Sequence, residues 1–401
     1  MLGAAGPRRQ SRTRPSAAQE SPREDPRDTR VRPTDRARFI ARGQKTWIRQ
    51  HDVSARARLS AMHVLSTGIV IGIAVVALAA TLGASEVLVR GVGRLARNLG
   101  LLGGVVGLIV ALGADSPEIS SSVSAVASGS AATAAGVVFG SNVFNIAFLL
   151  GGAALAAGEV RIRRSVVVVD AGVAIVVTLA MGLAVLGEIP IAVAWILMLL
   201  VFIPYITFLF LSPTTIAQLP LPSRISTFLA NASREAGVEG MEIEAELEDL
   251  GAPPGRSWVP VALIVPALAI IVLGSIALVG SAVTLGRRWG VASVLTGVVA
   301  LAAATSLPNA YAAVRLAMDG RGTAVVSATF NSNTLNLVAG IAIPILVFPS
   351  LRGSVPTSYV VWLLLMSLLA LILLARGLRR GGALLLLSAY GAFVVYAILT
   401  G

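Results

Sequence analysis

Residues 140–145 read Gly140-Ser141-Asn142-Val143-Phe144-Asn145, and residues 331–336 read Asn331-Ser332-Asn333-Thr334-Leu335-Asn336. A proline, Pro117 or Pro308, lies 23 residues before each stretch. The register continues around those prolines: Gly113-Ala114-Asp115-Ser116-Pro117-Glu118 aligns with Ala304-Thr305-Ser306-Leu307-Pro308-Asn309. Further upstream, 100–107 aligns with 290–297, with one extra residue in the second copy before the prolines. A match held over so long a stretch is the mark of an internal repeat.

The surroundings of both copies are apolar. Of the 401 residues, 56% are hydrophobic and 13% charged, with a mean hydropathy of +0.83. Soluble chains run near 45–50% and about 25%. Apolar runs of roughly twenty residues or more match a hydrocarbon core about 30 Å thick. They fall near 62–89, 99–127, 132–157, 165–187, 190–212, 258–285, 290–318, 322–349, 355–375 and 381–400, which predicts an all-α membrane protein of about ten transmembrane helices. The long break at 213–257, with Glu235, Glu239, Glu242, Glu244, Glu246, Glu248 and Asp249, divides them five and five. Five helices separate the copies, and an odd offset turns the second copy over in the membrane. The expectation is two inverted five-helix repeats, the arrangement that supports alternating access in many transporters. The prolines interrupt apolar spans at matching positions, where they free backbone carbonyls tolerable only beside a cavity.

The chain divides into a basic, disordered tail at 1–60, a first half at 61–212, an acidic linker at 213–257 and a second half at 258–401. Residues 1–60 hold fifteen Lys or Arg against six Asp or Glu, about three quarters of the net +12. Such a tail beside a membrane fits anionic lipid headgroups, and nucleic acid is not expected as a partner. Arg90, Arg94, Arg97, Arg161, Arg163, Arg164, Arg321, Arg376, Arg379 and Arg380 share one side of the predicted topology, against Arg287, Arg288 and Arg352 on the other. The positive-inside rule then places the acidic linker in the cytoplasm and both termini outside, as a multi-pass protein of the plasma (inner) membrane. The basic tail points the opposite way.

With no cysteine, disulfides and thiolate metal sites are excluded. His51 and His63 lie at or before the first span. Carboxylates at membrane depth are expensive and mark function. Asp115 and Glu118 are three apart, on one helix face, and together suit a cation as ligands or a proton as carriers. Thr305, Ser306, Asn309, Ser332 and Asn336 from the second copy, with Ser141 and Asn145 from the first, add neutral oxygens. That set fits hard cations such as sodium and calcium rather than zinc or copper. Gly103/Gly107 and Gly136/Gly140 have the spacing of close helix packing. Asp170 has no repeat counterpart and reads as a structural or cavity-facing group, with an accessory proton or ion position as the alternative. The acidic linker lacks an EF-hand pattern.

The two signatures resemble those of the calcium/cation antiporter superfamily, particularly its bacterial and archaeal sodium/calcium exchanger-like members, over roughly 65–350. That family repeats a Gly-Thr-Ser-Leu-Pro-Glu-like and a Gly-Ser-Asn-Ile-Phe-Asn-like stretch. By position, the resemblance implies its paired glutamates at Glu118 and Asn309 and its Thr-Ser ligands at Ala114, Asp115, Thr305 and Ser306. Backbone ligands fall at Ala111 and Ala302, and later side-chain ligands at Ser141, Asn145, Ser332 and Asn336. The second glutamate is Asn309 here while Asp115 replaces a hydroxyl, so one carboxylate moves from the second half to the first. The resemblance implies a cation antiporter with no prosthetic group, exchanging calcium for sodium as cargo ions through one midplane site. Protons are the rival counter-ion, favoured by the adjacent carboxylates. A degenerate, non-transporting member is the reading raised by Asn309. An intramembrane aspartyl protease using Asp115 and Asp170 would leave the repeat unexplained, so no enzyme is expected.

Overall fold

The computed structural model describes residues 65–101, 103–160, 162–249 and 259–400. The basic tail at 1–60, His51 and His63 lie outside the described residues. Among those described, nine helices are long and apolar enough to cross a membrane, and a tenth crossing is made of two shorter pieces. The first half contains α1 (Thr67–Asn98), the pair α2 (Gly103–Ala114) and α3 (Ser116–Ala127), α4 (Ala131–Ala157), α5 (Arg164–Leu186) and α6 (Ile191–Phe210). Two further helices, α7 (Pro213–Ala217) and α8 (Ser223–Asp249), occupy the stretch between the halves. The second half contains α9 (Ile264–Arg288), α10 (Ser293–Met318), α11 (Gly322–Val347), α12 (Thr357–Ala375) and α13 (Arg380–Thr400).

The predicted first span, 62–89, ends too early. At 1.5 Å per residue, the 32 residues of α1 extend about 48 Å, well beyond the roughly 30 Å hydrocarbon core. Loss of apolarity after Val89 reflects the membrane boundary, not the helix end. Arg90 continues the helix and pairs one turn back with Glu86 at 2.9 Å. The run 99–127 is likewise two helices meeting at Asp115. Pro117 sits in the first turn of α3, where a missing N–H costs nothing. Pro308 instead lies inside α10.

The bilayer is evident in what remains exposed. Val76, Leu200, Val265, Leu273 and Leu399 all have more than two thirds of their surface open. In water such faces would drive association, whereas in lipid they meet their own solvent. The chain is thus a multi-pass integral membrane protein, with polar groups gathered inward.

At the centre lies α4, the most enclosed span among those described. Small residues bring α10 against it in the same direction. A Cβ on Gly136 would lie 2.7 Å from the Val294 carbonyl oxygen, one on Gly140 2.5 Å from that of Val298, and one on Gly297 2.3 Å from that of Thr133. Only glycine permits this backbone approach. Thr133 adds a hydrogen bond to the Ser293 carbonyl at 2.9 Å. The predicted packing role of Gly136 and Gly140 is therefore met.

α4 crosses α11 in the opposite sense. Asn142 Nδ2 donates to the Asn333 carbonyl at 3.0 Å, and Asn333 Nδ2 donates to the Asn142 carbonyl at 3.1 Å. These are repeat-equivalent residues exchanging identical bonds, which places an approximate two-fold axis between them. Both helices change pitch just beyond their signatures, with π-helical turns at Ile146–Gly152 and Val338–Ala342. A two-residue pairing of Glu159–Val160 with Leu378–Arg379 joins the end of α4 to the start of α13.

Candidate cation site

The site grows outward from that axis. Asn145 Nδ2 donates to Ser332 Oγ at 3.0 Å and to Asn333 Oδ1 at 3.2 Å. Its counterpart, Asn336 Nδ2, reaches Asn142 Oδ1 at 3.2 Å and Ser141 Oγ at 3.5 Å. The amide nitrogens are thus turned into the helix crossing. Their oxygens, Asn145 Oδ1 and Asn336 Oδ1, are buried with no hydrogen-bond partner.

The carboxylates come from the break between α2 and α3. Asp115 Oδ1 accepts from Ser332 Oγ at 2.6 Å and from Asn309 Nδ2 at 2.9 Å, while Glu118 Oε1 accepts from Ser306 Oγ at 2.9 Å. Asp115 and Glu118, both of the first half, are therefore held by side chains of the second. The other oxygens, Asp115 Oδ2 and Glu118 Oε2, are buried and unpartnered. Asp115 is 1% and Glu118 0% exposed. Among the described residues no Lys or Arg pairs with either one. Buried polar atoms are nearly always satisfied. The four orphan oxygens, two of them on carboxylates, make this buried polar cluster rich in acceptors.

Several predicted site positions are occupied in other ways. The Ala111 carbonyl accepts the Asp115 amide at 2.9 Å within the helix. Thr305 Oγ1 donates back to the Leu301 carbonyl at 2.9 Å and lies 3.4 Å from the Ala302 carbonyl. The carbonyl that Pro117 releases is that of Gly113, taken by Ser116 Oγ at 2.6 Å and by Ser85 Oγ at 3.1 Å. Ser141 is fully buried, its hydroxyl donating to the Val138 carbonyl at 3.2 Å. The residues missed from sequence are Asn142 and Asn333, which brace the crossing. Their signal was their identical place in both signatures.

The family of sodium/calcium exchanger proteins matches over residues 69–212 and 259–399, covering both halves. The chain belongs to that family. Family membership makes it a transporter of the cation antiporter class, and calcium/cation exchange is the family's chemistry. A putative antiporter, CaxA, of Alkalimonas amylolytica is 28% identical over 306 residues, covering 73% of this chain and 85% of that one. Among solved structures, an H+/Ca2+ exchanger, CAX, aligns at a TM-score of 0.59 and 14% identity, over 89% of this chain and 92% of its own. The sodium-calcium exchanger NCX_Mj, soaked with sodium and strontium, aligns at 0.53 and 19% identity, over 84% of this chain and all of its own. At these identities the likeness establishes the fold.

Proposed function

We propose that this family member moves calcium through the pocket between α3, α4, α10 and α11, in exchange for sodium, by alternating access. The observation that carries the reading is the set of four buried, partnerless oxygens at Asp115, Glu118, Asn145 and Asn336. Hard cations take such oxygens, and calcium accepts six to eight at flexible geometry, leaving places for water or a shifted carbonyl. Two carboxylates balance one divalent ion or two monovalent ions, so the same pair can serve either cargo. Ala111, Ser141, Ala302, Thr305, Ser306, Asn309 and Ser332 surround or position these oxygens, and small rearrangements would add some of them to the shell. Orientation with α8 in the cytoplasm belongs to the same proposal.

A second counter-ion, the proton, is favoured by one specific feature. Asp115 accepts only from neutral donors, Ser332 and Asn309, and Asn309 stands where the family pattern has an acid. Purified protein in proteoliposomes, loaded with sodium or set to a pH difference, separates the two. Calcium uptake driven by outward sodium with no pH difference across the membrane supports sodium exchange. Uptake driven only by the pH difference overturns it in favour of protons.

A further inference from the structure

A third buried carboxylate lies outside the pocket. Asp170, on α5, is 2% exposed, and among the described residues no cation pairs with it. Tyr205 Oη of α6 lies 3.0 Å from Asp170 Oδ1, and Ser327 Oγ of α11 bonds Asp170 Oδ2. Tyr205 Oη also lies 2.6 Å from Asn331 Oδ1. A tyrosine hydroxyl has one proton to give. Facing two acceptor oxygens, it satisfies one and leaves the other contact without a hydrogen. A proton on Asp170 Oδ1 completes the count: Asp170 donates to Tyr205, and Tyr205 donates to Asn331. A neutral acid also avoids the cost of an unpaired charge in a span.

This cluster is built in one half only. Ser327 and Asn331 occupy the repeat positions of Gly136 and Gly140, which α4 uses to press against α10. Asn331 directly precedes Ser332, the donor to Asp115. Ser327 lies five residues before Ser332, so Asp170 sits about 7.5 Å along α11 from the Asp115 contact, toward the end where α5 and α11 both begin. α5 packs against α6, α8, α11 and α12. Their titratable or charged groups are Tyr205 on α6, Tyr359 on α12, and Arg224, Arg234, Glu235, Glu239, Glu242, Glu244, Glu246, Glu248 and Asp249 on α8, while α11 has none.

We propose that Asp170 is a proton-binding site distinct from the cation pocket, and that Tyr205 reports its occupancy to α11. When Asp170 loses its proton, Tyr205 turns its own hydrogen to Asp170 and releases Asn331, at the residue beside Ser332. The proposal rests on the exchange reading for its consequence but not for its proton. Rotating the Asn331 amide would satisfy the same contacts with an ionised Asp170, and the test must separate the two.

The test compares wild-type, Asp170→Asn and Tyr205→Phe proteins in lipid, by infrared difference spectra between acid and alkaline buffer and by the pH dependence of calcium uptake. The proposal expects a protonated-carboxyl carbonyl band that disappears in Asp170→Asn. It also expects that variant to lose at least half of the wild-type change in uptake with pH, and Tyr205→Phe to keep a displaced band while its pH dependence flattens. An unchanged band and profile in Asp170→Asn overturn the proposal. Should that variant not fold, an unchanged profile in Tyr205→Phe overturns it equally. Absence of calcium uptake by wild-type protein would instead defeat the exchange reading and leave the infrared result to decide the proton.

Discussion

Glu118 and Asp115 differ in how firmly they are held. Glu118 takes one side-chain hydrogen bond, from Ser306, and Asp115 takes two, from Ser332 and Asn309. Hydrogen bonds to a charged group contribute about 1.5–3 kcal/mol each. Ser332→Ala removes a donor without altering charge, so calcium should bind roughly tenfold or more weakly, by about 1.4 kcal/mol or more, as measured by calorimetry in detergent. Unchanged affinity would show that Ser332 does not position Asp115. These residues were legible from sequence because the repeat locks Ser306, Ser332, Asn145 and Asn336 into register with the first copy. The Asp170–Tyr205–Asn331 cluster was not. Its members are 35 and 126 residues apart, and no periodicity joins them.

Element boundaries were the least legible feature, for a physical reason. Hydropathy reports the thickness of the bilayer, so it located the spans but not the end of α1 at Asn98 or the break at Asp115. The glycine contacts between α4 and α10 give the strongest prediction at this scale. A Cβ on Gly140 would meet backbone atoms of Val298 at 2.5 and 2.7 Å, which a flexible side chain cannot relieve. Overpacking of this kind costs about 1–3 kcal/mol. Gly140→Ala should lower the melting temperature in detergent and reduce transport, whereas Gly152→Ala, with nothing within 4 Å, should leave melting unchanged or slightly raised. Equal melting of the two variants would mean the helix contact is not tight.

Across the whole molecule, the halves are bound at their axis by identical bonds and differ at their chemistry. The first half contributes both carboxylates and the second contributes the side chains that hold them. With this division, moving one half against the other would alter the contacts of both carboxylates together. The measurement that tests this most directly is radioactive calcium uptake into proteoliposomes, under an outward gradient of the counter-ion, by wild-type protein and by Glu118→Gln. Uptake by wild type that falls at least tenfold in the folded variant is the predicted result. Equal uptake by the two proteins would contradict the account, because the ion would then cross without the charge assigned to bind it.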